Sequence, residues 1–379
     1  MRMRLWVAVA LILAVYLGIQ TAMERRGAGA AAKSKAVATV MAPAPKPVVP
    51  ASSRTWRRGW VYPAGAPLSG APVGLDDGWV VTTGKGRIIA LDVGGRERWS
   101  RSFTNVTFAG GAVVAGGAVV AAGVDGGVIA LAAADGKSLW QVNLTGSLRH
   151  GPIAVQDGDA WRVVLVIPEN GILLCLDARD GREVWKSKPT NRTDGAPAGD
   201  GRLIAYGNCD AAVHFFDAVT GAHRGSVPVG HEAQMAGGVF LYEGRAYGGT
   251  RVGELVCADG GGLTLVWHVS VASGEAYVTP VVARGVAVVG TPAGNLVAFD
   301  AKTGAERWKV SLSNALSTVC VVDDAVFAAA GGRVLGVRLS DGGQFATLPV
   351  GDDIEGPACN NRVLAVADDG GNVMVITGE

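Results

Sequence analysis

The side chains of this sequence best suited to bind a metal or attack a substrate are five cysteines and five histidines, and their spacing argues against most such chemistry. Cys175, Cys209, Cys257, Cys320 and Cys359 form no C-x-x-C pair, so zinc and dithiol motifs are unsupported. Their odd number prevents complete internal pairing, and all five are expected to be small buried hydrophobes. His150, His214, His223, His231 and His268 are scattered without ligand spacing. His231 and Glu232 adjoin, which is too little for a general acid–base pair. Glycine runs such as Gly123 to Gly127 precede no helix, and a phosphate cradle needs a helix N-terminus. No G-x-S-x-G elbow occurs. With 34 Lys+Arg against 33 Asp+Glu and no basic cluster, a nucleic-acid partner is not expected.

The elements that must position any site are repeats. The segment Asn295 to Trp308 (NLVAFDAKTGAERW) recurs at Gly171 to Trp185, Gly127 to Trp140 and Arg87 to Trp99. Weaker copies start at Ala212, Glu254, Arg333 and Asn372. Positions equivalent to Asp300 are Asp92, Ala132, Asp177, Asp217, Asp259, Arg338 and Thr377, at intervals of 38 to 45 residues. Eight copies near that period match units of four short strands. The runs are short, β-branched and bounded by Gly, and nothing between them has a 3.6-residue period. In the turn from Asp300 to Gly304 the Asp can accept backbone N–H groups and the Gly supplies a positive φ. The following Trp then fills the gap to a neighbouring sheet. The docking set is Trp99, Trp140, Asp177, Gly181, Trp185, Trp267, Asp300, Gly304 and Trp308. The expected fold is all-β, an eight-bladed β-propeller of four-stranded antiparallel blades spanning 54–379. Seven blades is the alternative, because Gly225 and Ala346 stand where Trp belongs. The chain stops just after the eighth third strand, so Thr55 to Trp60 is expected to supply the missing outer strand and close the ring.

Ahead of the repeats, residues 1–23 carry a basic start and an apolar run from Leu5 to Met23, read as a signal anchor or a signal peptide. No Cys lies near it, so lipid attachment there is not expected. Residues 24–53 are rich in Ala and Pro and read as a linker. The chain is expected outside the cytoplasm, in the periplasm, anchored or secreted, and monomeric.

Ala298-x-Asp300-x-x-x-Gly304-x-x-x-Trp308 and Cys175-x-Asp177-x-x-x-Gly181-x-x-x-Trp185 resemble the tryptophan-docking motif of PQQ-like β-propeller repeats. In size, blade number and N-terminal segment the chain looks most like the BamB-type envelope scaffolds. That resemblance implies a non-catalytic propeller that binds a protein partner in the cell envelope. The quinoprotein dehydrogenases share the motif and hold PQQ and Ca²⁺, but carry a vicinal cysteine pair that this sequence lacks. No cofactor, no bound metal and no enzymatic activity are therefore expected. PQQ with Ca²⁺, or a ligand-sensing ectodomain, is the alternative. The loops from each outer strand to the next inner strand should gather on one face near the axis. Their charged residues Arg149, His150, Arg192, Asp194, His231, Glu232, Glu275, Asp353 and Glu355 are the candidate binding face.

Overall fold

The computed structural model describes residues 50–379 apart from 231–232, 236, 273–278, 313–318, 352–353 and 361–362. The expected anchor at 1–23, and the linker up to residue 49, lie outside the described residues. Among the described residues no helix is long and apolar enough to cross a membrane.

Strand β1 (Trp56–Pro63) precedes the first blade in the chain but belongs to the last one. Blade 1 is β2 (Val73–Leu75), β3 (Gly78–Thr82), β4 (Arg87–Asp92) and β5 (Glu97–Ser102). Blade 2 is β6 (Val113–Ala115), β7 (Ala118–Ala122), β8 (Gly127–Ala132) and β9 (Ser138–Asn143). Blade 3 is β10 (Ile153–Asp157), β11 (Ala160–Ile167), β12 (Ile172–Asp177) and β13 (Glu183–Lys186). Blade 4 is β14 (Ala198–Gly199), β15 (Leu203–Gly207), β16 (Ala212–Asp217) and β17 (His223–Pro228). Blade 5 is β18 (Val239–Tyr242), β19 (Arg245–Gly249), β20 (Glu254–Asp259) and β21 (Thr264–Ser270). Blade 6 is β22 (Val281–Ala283), β23 (Val286–Gly290), β24 (Asn295–Asp300) and β25 (Glu306–Ser311). Blade 7 is β26 (Val319–Val322), β27 (Ala325–Ala330), β28 (Arg333–Arg338) and β29 (Gln344–Pro349). Blade 8 is β30 (Ile354–Asn360), β31 (Val363–Asp368) and β32 (Asn372–Gly378), completed by β1. The inner strands touch in sequence around the ring, and β2 of blade 1 meets β30 of blade 8. The fold is the eight-bladed propeller.

Burial follows from this stacking. The second and third strands of a blade are covered on both faces by neighbouring blades, so they read as unbroken apolar runs such as Val286–Gly290, buried throughout. On the outer strand β25 only Trp308 is buried. Each indole reaches the turn between the third and outer strands of the next blade. Trp99 donates Nε1–H to Ala133 O at 2.9 Å, Trp140 to Ala178 O at 2.9 Å, Trp267 to Ala301 O at 3.1 Å and Trp308 to Leu339 O at 2.9 Å. Gly304 and Gly342 have φ of +75° and +71°, and a Cβ on either would lie 2.8 Å from the indole, so the turn needs glycine twice over. Trp185 docks on Gly221 in the same way, but its Nε1 is buried without a partner among the described residues. In the turn of blade 6, Asp300 Oδ1 accepts the N–H of Lys302 at 3.0 Å and of Thr303 at 2.9 Å.

The two missing tryptophans have separate explanations. At blade 4, Gly225 stands in the tryptophan position, and the glycine of blade 5 is replaced by Leu263, at φ +51°. A Cβ on Gly225 would lie 2.5 Å from Leu263 Cδ1, so the leucine fills from one side the space an indole fills from the other. At blade 7, Ala346 has no such turn to face, because β32 and β1 of blade 8 pair without being joined by a turn. The 3₁₀ turn Ala51–Ser53 packs in the blade 7–8 cluster instead. Trp56 Nε1 donates to Ala51 O at 2.8 Å, and its ring meets Phe327 edge-on at 4.5 Å. Trp60 is the docking indole of blade 8, donating to Val93 O at 2.9 Å.

The cysteine expectation is corrected by a disulfide between Cys320 and Cys359. Equivalent places on the adjacent inner strands β26 and β30 bring the two Cα atoms to 6.1 Å, within bridging range. A separation of 39 residues hid this, because only the ring places one blade's inner strand beside the next. Cys175 and Cys257 are buried as expected, and Cys209 is partly exposed.

Candidate functional site

In an up-and-down blade, the loop leaving the outer strand and the turn between the second and third strands fall at the same end. The backbone shows these segments interleaved. Cys209 N, in the β15–β16 turn, donates to Arg192 O at 3.0 Å. Thr193 N donates to Pro168 O in the β11–β12 turn at 3.0 Å. Leu148 N donates to Val124 O in the β7–β8 turn at 3.1 Å. These bonds fix the loops between blades 2 and 3 and between blades 3 and 4.

Four of the nine candidate residues meet there. Arg149 Nη1 donates to Asp194 Oδ1 at 2.7 Å, and Arg192 reaches the same oxygen through Nε at 3.2 Å and Nη2 at 3.1 Å. His150 Nε2 lies 2.8 Å from Asp194 O, and because a carbonyl only accepts, Nε2 carries the proton. Both guanidinium groups remain about half exposed, so the carboxylate orients them without removing them from solvent. The contribution of such exposed pairs to stability is small, about 0–1 kcal/mol, and their value is in presentation.

Sequence reasoning missed the rest of the cluster. Ser147 Oγ donates to Glu169 at 2.5 Å and holds that carboxyl below its ordinary range. Asn191 Nδ2 donates to Asp210, and Asn191 Oδ1 accepts from Arg192 N at 2.7 Å. Cys209 Sγ is 3.8 Å from Asp194 Oδ2, and burial followed by that carboxylate pushes the thiol up. The available signal was positional: turns between second and third strands share the face of the long loops, and Glu169, Cys209 and Asp210 sit in such turns. His231, Glu232, Glu275 and Asp353 lie outside the described residues. Glu355 falls on β30, paired through its backbone with Ala367.

No group of three His, Cys, Asp or Glu among the described residues is arranged to hold a metal. A cleft of about 370 Å³ between blades 5 and 6 is lined by Tyr242, Glu243, Arg245, Asp259 and Lys302. A cluster of solvent-facing, mutually oriented arginines and carboxylates suits recognition of another polar surface. Among the described residues the one thiol of this cluster, Cys209, is pushed up and not down.

The family described as outer membrane protein assembly factor BamB matches residues 48–185, 124–227 and 209–379. A relative of that name from Yersinia pestis is 27% identical over 303 residues, which is 75% of this chain and 67% of that protein. Two further relatives of that name align over about half of their length, 46% and 42%. Among solved structures, BamB from Moraxella catarrhalis superposes with a TM-score of 0.72 at 18% identity, over 85% of this chain and 100% of that one. Quinohemoprotein alcohol dehydrogenase from Comamonas testosteroni shares the fold, with a TM-score of 0.68 at 14% identity, over 87% of this chain and 77% of that one.

Proposed function

The chain belongs to the family of outer membrane protein assembly factor BamB, and from that premise we propose that it is a non-catalytic scaffold of the cell envelope that binds a protein partner in outer-membrane assembly. The observation that carries the reading is the convergence of Arg149, His150, Arg192 and Asp194 from two consecutive interblade loops. Loops held on a rigid ring present side chains at low ordering cost, which is how scaffolds recognise partners. A location outside the cytoplasm is supported by the Cys320–Cys359 bridge, since disulfides persist in oxidising compartments. In this reading residues 1–23 anchor or export the chain, 24–53 space it, and 54–379 carry the contact surface.

A photo-crosslinking residue at 149 or 192 tests the contact face in intact envelopes. The expected result is one discrete adduct from either position and none from position 302, in the interblade cleft lined by Tyr242 and Glu243. Adducts from 302 alone would overturn the assignment. A quinone-binding reading rests on the shared fold. Saturating PQQ with Ca²⁺ should leave the melting temperature unchanged, whereas a ligand of the native state would raise it.

A further inference from the structure

Behind the contact loops, blade 4 holds two imidazoles in a line. His214 on β16 is buried, and His223 on β17 is exposed. His214 Nδ1 and His223 Nε2 are 3.0 Å apart, with ring centroids 5.2 Å apart. That centroid distance is close to the most that this N···N separation allows, so the two nitrogens face each other directly. Such an arrangement is a linear hydrogen bond, not a pair of lone pairs converging on a metal.

The surrounding bonds fix where the protons sit. Asp210 N donates to Asn208 Oδ1 at 3.1 Å, and Asn208 Nδ2 donates to Asp210 Oδ2 at 3.3 Å. These set the orientation of the Asn208 amide. Its second N–H then points at His214 Nε2, 2.9 Å away. His214 Nε2 is therefore an acceptor, its proton is on Nδ1, and that proton is donated to His223 Nε2. Every donor in the chain runs outward from Asn208 to His214 to His223. A further proton on His214 must enter at Nε2, where it would face an amide N–H. Asn208 would then have to turn over and give up both bonds to Asp210, the residue that holds Asn191 beside Arg192.

We propose that the Asn208–His214–His223 relay is a proton-operated latch, which orients Asp210, and through it the Asn191 side chain beside Arg192, while His214 is neutral, and lets Asp210 go when His214 Nε2 is protonated, the backbone bonds of the loop staying in place. That this loop is a contact surface rests on the scaffold reading above; the latch is a property of the chain alone. The groups around the pair are few. On β15 Tyr206 stacks on His214 with centroids 5.7 Å apart, and its hydroxyl is engaged by Thr190 and Gly171. Phe216 lies against His223 at 4.9 Å. Blade 3 adds Cys175 and Trp185 to the cluster that contains Tyr206 and Phe216. Arg224, next to His223, is held by Asp217 at 2.6 Å. Asp210 is the charge that favours the imidazolium, against burial and the neighbouring His223, which together hold His214 down at about 4.

Nitrogen-resolved NMR of the full-length chain tests this without any partner. At pH 7 both imidazoles should be in the Nδ1–H form. On acidification from pH 7 to 3, the amides of Asn191, Arg192, Asn208 and Asp210 should show a shift with the same midpoint as the His214 ring. In His214→Gln, which keeps a side-chain acceptor but cannot charge, those amides should lose the transition that tracks the His214 ring. An Nε2–H form of His214 at pH 7, or unchanged titration of the loop in the glutamine variant, overturns the proposal. If the glutamine variant does not fold, the wild-type tautomers and midpoints decide by themselves.

Discussion

Replacing Trp308 by alanine should destabilise the ring by about 4 kcal/mol. The indole is 8% exposed, packs on Gly342 of the next blade and donates its N–H to Leu339 O. A buried tryptophan removes about 150–250 Å² from water. At about 25 cal/mol per Å² this corresponds to about 4–6 kcal/mol. Measured truncations of this kind run about 3–5 kcal/mol, because neighbours relax only in part. The position is closed on the Gly342 side, so collapse into the space is limited. Unfolding entropy of about 2.1 cal/mol/K per residue, over the roughly 330 residues of the compact unit, is about 0.7 kcal/mol/K. The expected fall in Tm is therefore about 6 °C, read by calorimetry at fixed scan rate. Trp308→Phe keeps most of the area and loses the N–H, and should cost about 1 kcal/mol more than the area lost. A loss below about 1 kcal/mol for the alanine variant would mean the indole is not buried between blades, and the docking argument would fail at all six equivalent positions.

Thiol titration of the unfolded, unreduced chain should find three reactive cysteines, rising to five after reduction; five at the outset would contradict the Cys320–Cys359 bridge. Closing a loop of 39 residues is worth about 4 kcal/mol in the chain-entropy picture, so reduction should lower the unfolding midpoint measurably. Gly225→Trp alone should destabilise by about 1–3 kcal/mol through collision with Leu263. Combined with Leu263→Gly it should recover part of that loss, and simple additivity in the double-mutant cycle would refute the exchange. The Arg224 and Arg307 guanidinium groups hold Asp217 and Asp300 down at about 2. These carboxylates stabilise the fold above their unfolded pKa, so stability should fall as pH drops from about 4 towards 2. His214, held down at about 4 by burial, adds an earlier decline between about pH 6.5 and 4, because the unfolded chain takes that proton first. Urea midpoints should fall less between about pH 6.5 and 4 for His214→Gln than for the parent chain, and should fall alike in both from about pH 4 towards 2.

The amino-acid order by itself determined the blade. The Asp-x-x-x-Gly turn, the Trp four residues on and the unbroken apolar runs are local consequences of turn geometry and of strands covered on both faces, and they gave eight units and the closure through Trp56 and Trp60. Arg149, His150, Arg192 and Asp194 were legible as loop charges for the same reason. Tertiary structure alone decided what lies across a blade boundary. Cys320 meets Cys359 and Leu263 fills the space beside Gly225, because residues about 40 apart become neighbours only when the ring stacks one blade on the next, and Ala51 covers the end of blade 7 only because the ring closes. The direction of the Asn208–His214–His223 chain was equally out of reach, since it depends on which side chains Asp210 orients and not on any spacing.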